Sequence, residues 1–117
     1  MLLIVDDNAA MRQLIRRVVS DLADSIEECS DGAEALAAYE RHHFGEGDWV
    51  LMDIEMAGMD GLTATRQLRA AHPEARIVIV TRHNDEELRG AALRDGACGF
   101  VPKENLLELR AIISATS

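Results

Sequence analysis

Leu2-Leu3-Ile4-Val5-Asp6-Asp7 is the stretch on which the fold turns. Its apolar run lacks polar alternation, as in a strand covered on both faces, and two acids end it. Further apolar runs follow at Ser25 to Cys29, Trp49 to Met52, Arg76 to Val80 and Cys98 to Val101, about 20 to 25 residues apart. The second run is half polar, Ser25-Ile26-Glu27-Glu28-Cys29, and suits a sheet edge better than its centre.

Helical periodicity fills the intervals. Met11, Leu14, Ile15, Val18, Val19 and Leu22 repeat at three- and four-residue spacing. Asp31 to His43 is alanine-rich, and Gly61 to His72 carries an apolar stripe that Pro73 ends. Asn84 with Glu87 resembles a capping box for a fourth helix closed by Gly96, and Leu106, Leu107, Leu109, Ile112 and Ile113 mark a fifth. Strands alternating with helices through short loops predict a doubly wound α/β fold with a parallel sheet, because parallel strands need right-handed crossovers. One domain spanning 1–117 is expected.

Composition narrows the function. The net charge of −9, with no Lys/Arg cluster among aromatics, argues against direct nucleic-acid binding. No apolar stretch approaches the roughly 20 residues that span a bilayer, so no membrane association and a cytoplasmic location are expected. Cys29 and Cys98 lie in apolar runs at no metal-ligand spacing.

Ligands of open α/β sheets bind beyond the carboxyl ends of the strands. Asp6 and Asp7 end the first strand, Asp53 the third, Thr81 the fourth, and Lys103 follows the fifth, so all five are expected at one mouth. Gathered acids repel by roughly 1 to 4 kcal/mol per pair at ~4 Å. A hard divalent cation such as Mg²⁺ offsets that, and Lys103 and Thr81 suit a phosphoryl oxygen. Nucleophilic attack by a carboxylate on a phosphoryl donor would give an aspartyl phosphate, with Asp53 the better nucleophile because it stands alone at its strand end.

The segments LLIVDDN, VLMDIEMAGMDG, IVIVT and DGACGFVPK together resemble the receiver domains of two-component response regulators along the whole chain. The resemblance implies a CheY-like, flavodoxin-like (βα)5 fold with strand order 2-1-3-4-5. It implies a phosphoprotein that takes a phosphoryl group from a sensor histidine kinase or phosphotransfer protein onto Asp53. Such a domain is not an enzyme beyond its own phosphotransfer and dephosphorylation. It further implies Mg²⁺ held by Asp7 directly, by Asp6 through water, by Asp53, and by the Glu55 backbone carbonyl. Thr81 and Lys103 would contact the phosphoryl group, and Phe100 would be the switch aromatic, unable as Phe to make a phenol hydrogen bond. The partner face is assigned to Asn8, Ala10, Met11 and Leu14. The surface of the fourth helix, fifth strand and fifth helix is a candidate for dimerisation or an output domain.

Three residues depart from the family pattern. Ala57 replaces a usual Pro and is expected to loosen the loop Glu55 to Met59. Glu104 replaces a frequent Pro after Lys103, so the cis peptide common there is not expected. Arg82 stands where a small residue is usual and is a candidate lid over the site.

Other residues have plainer readings. His42-His43 suits an exposed place at a helix C-terminus, His83 a solvated rim position, Trp49 packing, and the glycines of MAGMDG ordinary loop chemistry. Two rival functions remain. One is a phosphate-independent receiver acting as an interaction module. The other is a small Mg²⁺ phosphatase using Glu55 as acid/base, disfavoured because the chain leaves no room for a cap domain.

Overall fold

The computed structural model describes residues 1–45, 47–83 and 85–115. Five strands, β1 (Leu2–Val5), β2 (Ile26–Cys29), β3 (Trp49–Met52), β4 (Ile77–Thr81) and β5 (Gly99–Pro102), alternate with α1 (Ala9–Val19), α2 (Gly32–His42), α3 (Gly61–Ala71), α4 (Glu86–Arg94) and α5 (Glu108–Ala115). The strands form one parallel sheet in the order β2-β1-β3-β4-β5. This is the doubly wound, flavodoxin-like arrangement expected, with the half-polar β2 at an edge.

Burial follows from strand alternation. Leu3, Val5, Val50, Met52, Ile77, Ile79 and Phe100 face one core with Ala35, Ala38, Ala64, Leu68 and Ala92 of α2, α3 and α4. Leu2, Ile4, Leu51, Val78, Val80 and Val101 face the other with Ile15, Val19, Leu109 and Ile113 of α1 and α5. Central strands buried on both sides cannot alternate with polar residues, which is why they read as continuous apolar runs. Trp49 lies in the second core, under the guanidinium of Arg76, 5.0 Å from its ring centre.

Helix starts rest on side-chain caps. Asn8, Asp31, Asp60 and Asp85 each accept a hydrogen bond from a backbone N–H three residues on, at 2.8–2.9 Å. The cap of α4 is therefore Asp85, not Asn84, which lies outside the described residues, as do Glu46, Thr116 and Ser117. The apolar stripe ascribed to the fifth helix begins earlier than the helix: Leu106 and Leu107 sit in the turn before Glu108, and Leu107 is exposed. His43 closes α2 in a left-handed conformation, φ 51°, while His42 pairs with Glu27 at 2.7 Å. No helix among the described residues is long and apolar enough to cross a membrane.

Candidate phosphoryl and metal site

Parallel strands all end on one side of the sheet, and β1 and β3 are neighbours, so Asp6 and Asp53 follow adjacent strand ends. Backbone bonds extend the ladder one step further: Asp53 donates its N–H to Val5 and Asp6 donates to Cys29. Asp6 and Asp53 are both buried, at 1% and 5% exposure respectively, whereas Asp7 is exposed. Carboxylate oxygens of Asp6, Asp7 and Asp53 lie within 4.8 Å of one another.

Lys103 enters from the end of β5. Its ammonium stands 2.8 Å from Asp6 Oδ2 and 3.4 Å from Asp53 Oδ1. Asp6 Oδ1 accepts from the backbone N–H of Asn8, while the buried Oδ2 is ion-paired with Lys103 but has no well-directed hydrogen bond. A buried oxygen with spare acceptor capacity, beside two further carboxylates, is a donor set for a hard cation. Burial, and then the charge of Asp6, push the Asp53 carboxyl up from an ordinary 3.8 to about 6, against the pull of Lys103.

A cavity of about 350 Å³ opens over these groups. Asp6, Asp7, Asp53, Lys103, Glu55 and Arg82 line it, and Asn8, Ala10, Met11 and Leu14 form an adjoining wall. The residues assigned to a partner face thus border the site itself, with Asn8 also capping α1. Thr81 is buried at the end of β4 and does not line this cavity; its hydroxyl accepts the backbone N–H of His83 at 3.2 Å. Phe100 is turned into the core, with the Arg89 guanidinium 4.9 Å from its ring centre.

Two features escaped the sequence reading. Gly61, expected to be ordinary loop chemistry, is a requirement of close approach: a Cβ there would stand 1.9 Å from the Asp53 carbonyl oxygen. The Gly61 N–H also binds the Ile54 carbonyl at 2.9 Å, so the start of α3 is seated directly on the backbone of the central acid. His83, expected to be a solvated rim residue, is half-exposed but hydrogen-bonded to Glu55, whose other oxygen lies 3.9 Å from Arg82. The Met-Gly spacing carried no signal of the first, and the second depends on loops distant in sequence.

Residues 2–114 match the family model for the response regulator receiver domain. The chain belongs to this family. Among curated proteins, the receiver is 35% identical over 121 residues to response regulator MprA of Mycobacterium sp. (strain KMS), covering 99% of this chain and 51% of that protein. It is 33% identical over 101 residues to chemotaxis protein CheY of Halobacterium salinarum, covering 86% of this chain and 82% of CheY. The chain spans about half the length of the MprA proteins it matches. Among solved structures, the receiver domain of NtrX from Brucella abortus superposes with a TM-score of 0.82 at 28% identity over all of both chains.

Proposed function

We propose that this receiver accepts a phosphoryl group on Asp53 from a histidine kinase or phosphotransfer protein, with Mg²⁺ bound at Asp6, Asp7, Asp53 and the Glu55 backbone carbonyl. The observation that carries the reading is the meeting of three carboxylates within 4.8 Å with Lys103 bridging Asp6 and Asp53. The donor set fits Mg²⁺, since every candidate ligand is a hard oxygen and Asp6 Oδ2 has acceptor capacity to spare. The bound cation would neutralise charge on the transferring group.

The chain's own residues do the remaining work. At neutral pH a carboxyl raised to about 6 is still mostly ionised, so Asp53 presents a nucleophilic oxygen. That oxygen forms a bond to phosphorus as the bond from phosphorus to the donor breaks, and the electron pair leaves with the donor. Lys103 supplies positive charge beside the new phosphoryl oxygens. Asn8, Ala10, Met11 and Leu14 receive the donor protein, because they wall the same cavity as the nucleophile. Thr81 and Phe100 then carry the change to the surface of α4, β5 and α5, where dimerisation or an output domain would respond.

Arg82 is read as a lid: anchored loosely by Glu55, its cationic side chain overhangs the mouth and would hinder attacking water. The whole of 1–117 is read as one receiver domain. Gathering Asp6, Asp7, Asp53 and Lys103 at one mouth does not favour a phosphate-independent interaction module.

The test is the response to Mg²⁺ with beryllofluoride, which mimics an aspartyl phosphate. Amide signals of Asp53, Thr81 and Phe100 should shift in the wild type and stay fixed in Asp53→Asn. An unresponsive wild type would reject the reading.

A further inference from the structure

Glu28 and Arg12 belong to neither core and have no part in the chemistry above, yet they are joined to the acidic corner. Arg12, one turn into α1, donates from Nη1 to the backbone carbonyl of Asp6 at 2.5 Å. Its Nε donates to Glu28 Oε1 at 3.0 Å. The other oxygen of Glu28 accepts from Arg16 Nε at 2.8 Å, and both arginines draw the Glu28 carboxyl below its ordinary range, Arg16 most strongly. The Arg12 side chain is mostly covered, with 18% exposure. The acids of β2 are thus engaged in ion pairs: Glu28 holds Arg12 and Arg16, and Glu27 pairs with Arg41 and His42.

The geometry points to a positioning role for Arg12 toward the divalent cation, resting on the reading of Asp6, Asp7 and Asp53 as its site. The peptide plane between Asp6 and Asp7 is rigid, so a strong bond to the Asp6 carbonyl sets the direction in which Asp7 leaves the strand. Asp6 is fixed independently by burial and by the Asn8 N–H, whereas Asp7 is exposed and takes its aim from that plane. A planar guanidinium suits the task because it bonds carbonyl and carboxylate at once in fixed directions. Mg²⁺ demands near-ideal octahedral ligand placement at about 2.0–2.1 Å, so a small rotation of one carboxylate is costly. Glu28, shared with Arg16, offsets part of the Arg12 charge and holds its guanidinium in place, which limits its competition for the acids.

The sign of the effect separates positioning from charge. Deleting a positive charge beside an acidic site should tighten cation binding if charge alone matters, whereas loss of orientation weakens it. The experiment is a Mg²⁺ titration of the 117-residue chain, followed by amide spectra, for wild type, Arg12→Gln, Glu28→Gln and the double variant. Metal-free thermal unfolding of each is measured alongside. Arg12→Gln should weaken Mg²⁺ binding by roughly tenfold, the range typical of residues that orient metal ligands. Glu28→Gln should weaken it by less, and the double variant should be no weaker than Arg12→Gln, because Arg12 is the only one of Glu28's two arginine partners that reaches the Asp6 carbonyl. Affinity in Arg12→Gln within twofold of wild type, or tighter, overturns the inference, even if that variant melts earlier. A wild type that does not respond to Mg²⁺ overturns the metal reading itself and this inference with it.

Discussion

Asp53→Asn should stabilise the metal-free protein at neutral pH, although it removes a buried ion pair with Lys103. In the folded state the Asp53 carboxyl is raised from 3.8 to about 6, by burial first and by the charge of Asp6 second. A carboxyl raised in the folded state binds more protons there than in the unfolded chain. Its contribution is therefore fully present below about pH 3.8 and is lost as the pH rises to about 6. The interval is worth about 3 kcal/mol, a large fraction of a small domain's stability. Asparagine has nearly the same shape, stays neutral and loses nothing over that window. Asp21, Glu28 and Asp48, whose carboxyls are held low by their partners, shift stability in the opposite direction, but equally in both proteins. The quantity to follow is thus the difference between the two, from urea unfolding in chelator at pH 3.5 to 8. It should grow through the window to as much as about 3 kcal/mol in favour of the variant and level off above pH 7. Saturating Mg²⁺ should narrow it, since a cation that binds only the folded wild type stabilises it by mass action. A variant less stable than wild type at pH 7, or a difference constant with pH, would refute the reasoning.

Two further substitutions test local geometry. Gly61→Ala should destabilise by ~3 kcal/mol or more and impair phosphorylation, because its Cβ cannot stand 1.9 Å from the Asp53 carbonyl oxygen without moving the backbone of either β3 or α3; urea unfolding with an unchanged midpoint would contradict this. Arg82→Ala should hydrolyse its aspartyl phosphate several-fold faster, about fivefold for a barrier lowered by ~1 kcal/mol, in a decay followed after donor removal in excess Mg²⁺; equal or slower decay would leave Arg82 a surface charge.

Much of this was legible in the sequence, for identifiable reasons. Central strands covered on both faces must be apolar throughout, so β1, β3 and β4 stood out as runs, and acids at their ends could only fall on one side of a parallel sheet. Thr81 ends β4 as expected, whereas the fifth run stopped one residue before Pro102, the last residue of β5. What stayed hidden depends on approach across the fold. Gly61 looked like a turn glycine because nothing nearby in sequence announces that a helix start will rest on Asp53. The contacts of Arg12 with Glu28 and with the Asp6 carbonyl join residues 16 and 6 positions apart, and no local pattern announces them. His83 and Glu55, 28 residues apart, meet only because β3 and β4 are neighbours. The α4 cap was misplaced by one residue because Asn84 and Asp85 are both good caps and only the helix phase decides between them.

The central claim is that Asp53 is a phosphoryl acceptor served by a cation and Lys103. Its most direct measurement is the intact mass of the protein after incubation with acetyl phosphate and Mg²⁺, with peptide mapping of the modified site. The expected result is one added phosphoryl group, mapped to Asp53, not added when chelator replaces Mg²⁺ and absent from Asp53→Asn; equal labelling of Asp53→Asn, or no labelling of a wild type shown to be folded and to bind Mg²⁺, would contradict it.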